Sequence, residues 1–105
     1  MEDFKKPFSI ESAVNYAAGA IVSKTIIKKP TGTVTLFAFD EGEELSEHTA
    51  AYDALIQVFD GEAEITVGGE LHTVSNNQSI ILPANIPHAV KAKNRFKMML
   101  TMVKA

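Results

Sequence analysis

Asp60-Gly61-Glu62-Ala63-Glu64-Ile65-Thr66-Val67-Gly68-Gly69 carries the pattern that decides the fold. From Glu62 to Val67 the residues alternate without a break. Glu62, Glu64 and Thr66 fall on one face, and Ala63, Ile65 and Val67 on the other. Successive side chains of a strand point to opposite faces, so this stretch is a strand with one wet and one buried side. Gly68-Gly69 closes it as a two-residue hairpin turn. Asp60-Gly61, ahead of it, is the strongest hairpin signal in the chain, because both dipeptides accept the positive φ that tight hairpins need. The spacing predicts a strand over residues 54–59, a hairpin at Asp60-Gly61 and a second hairpin at Gly68-Gly69.

Outward from this stretch the chain continues as β. Residues 20–28 are rich in Ile, Val and Thr. Pro30-Thr31-Gly32 interrupts them, and the β-branched and aromatic run of residues 33–39 reads as the next strand. Asp40-Glu41-Gly42 is a turn, and Glu41, Glu43 and Glu44 belong to a solvated loop ahead of His48. Residues 71–74, 79–82, 88–93 and 96–103 complete the strands. Before them, residues 9–20 hold a helical turn or two, with Ser9 as N-cap and Gly19 as stop. Short strands with turn signals every eight to twelve residues or so define an all-β sandwich or barrel.

The 105 residues make one domain, over residues 1–105. The net charge is −3, and the basic residues of 24–29 and 91–97 have no interleaved aromatics, so a nucleic-acid partner is not expected. No apolar run reaches the twenty or so residues that span a bilayer, and residues 1–7 lack the apolar core of a signal peptide. With no cysteine, disulfide and thiolate chemistry are excluded, and a cytoplasmic location is expected.

Histidines stand in a pattern with glycine and proline. Gly42 precedes His48 by six positions, Gly61 follows thirteen positions after it, and His88 lies five positions beyond Pro83. In this the chain resembles the cupin superfamily, whose first motif runs G-x5-H-x-H-x3or4-E-x6-G and whose second runs G-x5-P-x-G-x2-H-x3-N. Gly42, His48, Gly61, Pro83 and His88 match in register. Ala50 and Ala54 stand where the family has His and Glu. Asn77, Asn85 and Ala92 replace the two glycines and the asparagine of the second motif, and Asn94 lies out of register. Asparagine is the side chain that best tolerates positive φ, so Asn77 and Asn85 keep those turns. The resemblance covers about residues 30–103 and implies a double-stranded β-helix, or jelly-roll, barrel of the RmlC-like type, commonly a homodimer.

The resemblance also implies a divalent metal held by three His and one Glu, of which only His48 and His88 remain. Zn, Ni, Fe or Mn is the expected ion if one binds, and no metal at all is given equal weight. His72 is the candidate third ligand: it alternates with Val74 and faces the barrel interior if Val74 does. A surface position is its alternative. Tyr52, Asp53 and Gln57 are weaker donors, and Asp53 also suits a turn cap. Around the pair, an apolar pocket is expected from Phe37, Phe39, Ile56, Val58, Ile65, Ile81 and Leu100. Met98, Met99 and Met102 read as core or interface filler. The dimer surface is assigned to residues 20–27 and 98–102. Function is read first as a His-lined pocket for a small molecule with weak or no metal binding, and alternatively as a metal-dependent dioxygenase or isomerase with a reduced ligand set.

Overall fold

The computed structural model of the chain describes residues 3–104. Among these, a single helical turn, α1 (Ile10–Ala13), is followed by strands β1 (Ile21–Lys29), β2 (Gly32–Phe39), β3 (Glu44–His48), β4 (Asp53–Val67), β5 (Glu70–Ser75), β6 (Ser79–Leu82), β7 (His88–Lys91) and β8 (Phe96–Val103). The strands pair antiparallel in the order β1-β2-β8-β4-β7-β3, with β5 and β6 also on β4. The curled sheet is the expected jelly-roll barrel.

β4 is the spine. Its first half pairs with β6 and β8, and its second half with β5 and β7. The hairpin expected at Asp60-Gly61 is therefore absent: one 15-residue strand runs through it. The positive φ is used, since Gly61 sits at +71°, but it serves a bulge, where the register with β8 slips between Val58 and Asp60. A bulge bends and twists a strand, which lets β4 cross from one half of the barrel to the other. Asp-Gly signals positive φ equally well for a turn or a bulge. Arg95 settles which, because a Cβ at Gly61 would run into the Arg95 carbonyl oxygen. Gly68-Gly69, by contrast, is the expected two-residue hairpin, with φ values of 57° and 82° and Val67 opposite Glu70.

Alternation sorts the side chains. Phe39, Ile56, Val58, Phe96 and Met98 point inward, and Ala63, Ile65, Val74 and Val90 meet them from the other half of the barrel. The Phe39 and Phe96 rings stack with centroids 4.5 Å apart. On the outer face of β2, Leu36 and Ala38 are sealed by Ala13 and Val14 of the N-terminal segment.

Polar contacts clasp that segment down. Tyr16 Oη donates to Asp60 Oδ2 at 2.7 Å, and the Arg95 and Lys97 cations lie 5.2 and 5.0 Å from the centre of its ring. Burial, then the bond to Asp60, pushes the Tyr16 pKa well above its ordinary value. Asp40 accepts from the Gly19 amide and from Arg95 Nε, each at 2.7 Å. Those bonds hold its carboxyl at about 2.

β3 was not expected. Its residues, Glu44-Leu45-Ser46-Glu47-His48, are nearly all polar and exposed, and Leu45 is the one packed on the core. Asn77 and Asn85 do adopt positive φ, at 70° and 65°, as their substitution for glycine requires.

Candidate functional site

The two motif histidines meet. His48 ends β3, His88 begins β7, and they are direct cross-strand partners. The loop before His88 is pinned from three sides. Asn85 N donates to Ala50 O at 2.7 Å and Gly68 N to Pro87 O at 2.8 Å, while Ala84 N donates to Asp53 Oδ1 at 2.8 Å. Asp53 thus acts as the turn cap. The proline-rich loop is in this way fixed before the chain reaches His88, which is buried at 7% exposure. His48 is exposed at the pocket mouth.

The imidazoles are arranged so that neither can satisfy the other unaided. His48 Nδ1 lies 2.9 Å from Ser46 O, and His88 Nδ1 lies 3.2 Å from Ile86 O. A carbonyl oxygen only accepts, so each Nδ1 carries a hydrogen and each neutral ring presents a bare lone pair at Nε2. The two Nε2 atoms face each other at 3.2 Å, in rings inclined at 69°. Two lone pairs at that separation call for something positive between or beside them: a proton, a donor group or a metal ion.

They border a cavity of about 70 Å³ whose walls include Leu45, Ile56, Leu82, Val90 and Leu100. That volume is far below the roughly 300 Å³ at which sites for drug-sized ligands begin. Ala50 and Ala54 also line it, as do Tyr52, Met98 and Met102. A wider depression of about 490 Å³ lies elsewhere, between Glu44, Glu47, Glu64 and Lys91, and contains no histidine.

Of the residues expected around the pair, Ile56 and Leu100 line the cavity. Phe39, Val58 and Ile65 belong to the core, at 0%, 1% and 0% exposure, with Phe37 packed against it, and none of the four lines the cavity. Ile81 points outward at 62% exposure. Residues 79–82, Ser-Ile-Ile-Leu, hold three apolar residues in a row, so the sequence cannot fix which ones face inward. Pairing with Ile56 and Ala54 turns Ile80 and Leu82 in. The methionines read as filler include two of the cavity's lining groups. Their signal was alternation in β8: Met98, Leu100 and Met102 share the inward face, while Met99 packs beneath the N-terminal segment.

His72 is not brought to the pair. Val74 does face inward, at 3% exposure, but β5 pairs only with β4, so His72 reaches the rim of its sheet instead of the pocket. There it lies 3.6 Å from Glu70, beside a surface groove with Gln78 and Ile80. Gln57 lies in register with Met99 on the outer face. Among the described residues, no three His, Asp or Glu side chains are grouped to hold a metal ion, and no helix is long and apolar enough to cross a membrane.

A barrel of this topology, with two histidines paired at one mouth, defines a small double-stranded β-helix protein. The model of the cupin domain family matches residues 35–104, and the chain belongs to that family. It is similar to a conserved protein of unknown function from Streptococcus pyogenes, at 32% identity and a TM-score of 0.93, over 100% of this chain and 91% of that one. It is also similar to a cupin 2 conserved barrel domain protein from Leptotrichia buccalis, at 44% identity and a TM-score of 0.89. That match covers 92% of this chain and 47% of that one, so this chain spans about half of that protein's length. A cupin superfamily protein from Desulfitobacterium hafniense is 26% identical, with a TM-score of 0.91, over 96% of this chain and 93% of that one. No curated protein matches the sequence.

The divalent metal that the family implies does not fit this donor set. Ala50 and Ala54 line the cavity but have no donor atom, and two imidazoles fall short of the three protein ligands that zinc sites normally use.

Proposed function

We propose that the chain is a binding module whose pocket takes a small, positively polarised ligand between His48 and His88, rather than a metal-dependent dioxygenase or isomerase. The facing Nε2 lone pairs, 3.2 Å apart at the end of an apolar cavity, carry this reading. A ligand that offers an O–H or N–H group to them and a short apolar body to Ile56, Leu82 and Leu100 complements both halves of the pocket. A body of about five non-hydrogen atoms gains at best about −7.5 kcal/mol, so the Kd is micromolar or weaker. The absence of cysteine supports a reducing, cytoplasmic setting.

The test is a titration with isobutanol and isobutylamine, followed by the ¹⁵N shifts of the histidine rings. In the free protein both Nε2 should resonate as unprotonated nitrogens and both Nδ1 as N–H. Either probe should move the Nε2 signals, and Ala54→Leu, which fills the cavity, should abolish the response. Ring tautomers with Nε2–H, or probe binding that Ala54→Leu leaves intact, would defeat the reading.

For a partner we infer a second copy of the chain. Ile27, Val34, Thr101, Leu55 and Ile81 lie in register across β1, β2, β8, β4 and β6. The row ends in Ile27 at 51% and Ile81 at 62% exposure, Ile27 lying on β1, the outermost strand of the order among the described residues. Residues 98–102 contribute little to it beyond Thr101, since their methionines turn inward or under the N-terminal segment.

A further inference from the structure

We propose that the chain carries a second binding site, on the outer face of the sheet, for a neutral pyranose sugar. It is independent of the cavity beside His48 and His88.

The site is a cavity of about 190 Å³ where α1 meets β4, β6 and β8. Strand register builds its floor. Gln57 stands opposite Met99 on one side and Ser79 on the other, so the three side chains share the outer face. Phe59, two positions beyond Gln57, joins them and packs against the N-terminal segment. The turn before β6 supplies the rim. Asn77 N donates to Val58 O at 2.7 Å, and Val58 N donates to Gln78 O at 3.0 Å, which ties the turn to β4. On the other side, Lys97 Nζ donates to Glu11 O and holds the helical turn that presents Ile10 as a wall.

The polar groups of this cavity are not engaged with one another. Among the described residues, the side chains of Gln57, Asn77 and Ser79 have no hydrogen-bond partner. Gln78 uses only its Oε1, which accepts from Ser75 N at 2.8 Å. A carboxamide both donates and accepts, as a hydroxyl does. Three carboxamides and a hydroxyl therefore converge on one small space with capacity for several ligand hydroxyl groups. None of the lining residues is charged. A phosphate, carboxylate or ammonium would be stripped of water there with no counter-charge to offset the cost. Phe59 and Met99 add an apolar patch, which suits the C–H face of a sugar ring as aromatic side chains suit other amphipathic partners. The volume holds about six waters, the room needed by a single pyranose with its hydroxyls.

The test is a titration of the whole ¹⁵N-labelled chain with the methyl glycosides of glucose, galactose and mannose, with cyclohexanol in parallel. A small site with an open rim predicts a Kd of about a millimolar. At least one glycoside should give saturable shifts in the side-chain amides of Gln57, Asn77 and Gln78, all fitted by the same Kd. The ring nitrogens of His48 and His88 should stay unmoved, and cyclohexanol should bind about tenfold more weakly or less. Gln57→Leu removes one amide at similar size. Asn77→Gly removes another while keeping the positive φ of the turn. Each should weaken the best glycoside about fivefold. Thermal unfolding shows that each variant is folded, and Ser79→Ala, at an exposed position, replaces either one that is not. Three results each overturn the assignment: no saturable shift from any glycoside about tenfold above that range, equal affinity for cyclohexanol, or unchanged affinity in either folded variant. Shifts confined to His48 and His88 overturn it as well, because they move the binding to the barrel mouth.

Discussion

Restoring the two missing donors should convert the pocket into a divalent metal site. The perturbation is the double substitution Ala50→His with Ala54→Glu. Both alanines line the cavity, and Ala54 is buried at 8% exposure between Leu82 of β6 and Met102 of β8. The two larger side chains add roughly nine non-hydrogen atoms to a space of about 70 Å³, so the metal-free variant is overpacked and loses about 1–3 kcal/mol. Desolvating the new carboxylate adds to that cost. At 4–8 °C per kcal/mol for a domain near this size, the midpoint should drop by about 5–20 °C. Metal reverses the sign. Zinc at a hundred times its Kd stabilises the folded chain by about 2.7 kcal/mol, which recovers most of the loss. The assay is thermal unfolding with chelator, zinc or nickel. The variant should gain on the order of 10 °C with metal and the wild-type chain far less. An equal zinc shift in both proteins, or none in the variant despite a folded state, refutes the argument that positions 50 and 54 are the missing half of a metal site.

Three other perturbations test the frame. Gly61→Ala meets both an unfavourable φ of +71° and the Arg95 backbone, so it should cost at least about 3 kcal/mol; urea unfolding that shows a loss below about 1 kcal/mol would contradict the bulge. Asp40 has its pKa lowered from 3.8 to about 2 by the Gly19 amide and then Arg95. Its contribution is therefore complete above the ordinary carboxylate pKa and fades as pH falls toward 2. The difference in melting temperature between wild type and Asp40→Asn should accordingly shrink through that window, and a difference independent of pH would remove Asp40 from the clasp. Ile27→Asp with Ile81→Asp places charges at both ends of the exposed row, and sedimentation at micromolar concentration should show a dimer for the wild type and a monomer for the variant. A monomeric wild type overturns the dimer.

How much could be read in advance varied with the kind of signal. The barrel was legible because alternation over residues 62–67 and regular turn spacing constrain only strands. The meeting of His48 and His88 was legible through the family's spacing. What escaped were features set by pairing rather than by local pattern. Asp60-Gly61 declares a positive φ, yet only contact with Arg95 makes it a bulge inside a 15-residue strand. β3 is polar on nearly every position and owes its existence to β7 alongside. Ile81 lies in an unbroken apolar run whose phase comes from β4. His72 shares a face with buried Val74, but the position of β5 at a sheet edge, a property of the whole topology, keeps it from the pocket.

The two alanines at the cavity are best understood through charge. Three imidazoles and one glutamate bring a charge of −1 to a divalent ion, which leaves a loaded site of +1. Two imidazoles alone are neutral. With a divalent ion they would place +2 among Leu45, Ile56, Leu82, Val90 and Leu100. The cost of burying charge rises with the square of its magnitude, and an apolar wall does nothing to offset it. A site with the glutamate removed and the walls kept apolar should therefore disfavour divalent ions twice, once by lacking a ligand and once by the cost of burying the remaining charge. The same subtraction spares the ligand-free chain the cost of desolvating a carboxylate, and leaves the facing imidazoles to be satisfied by a donor group.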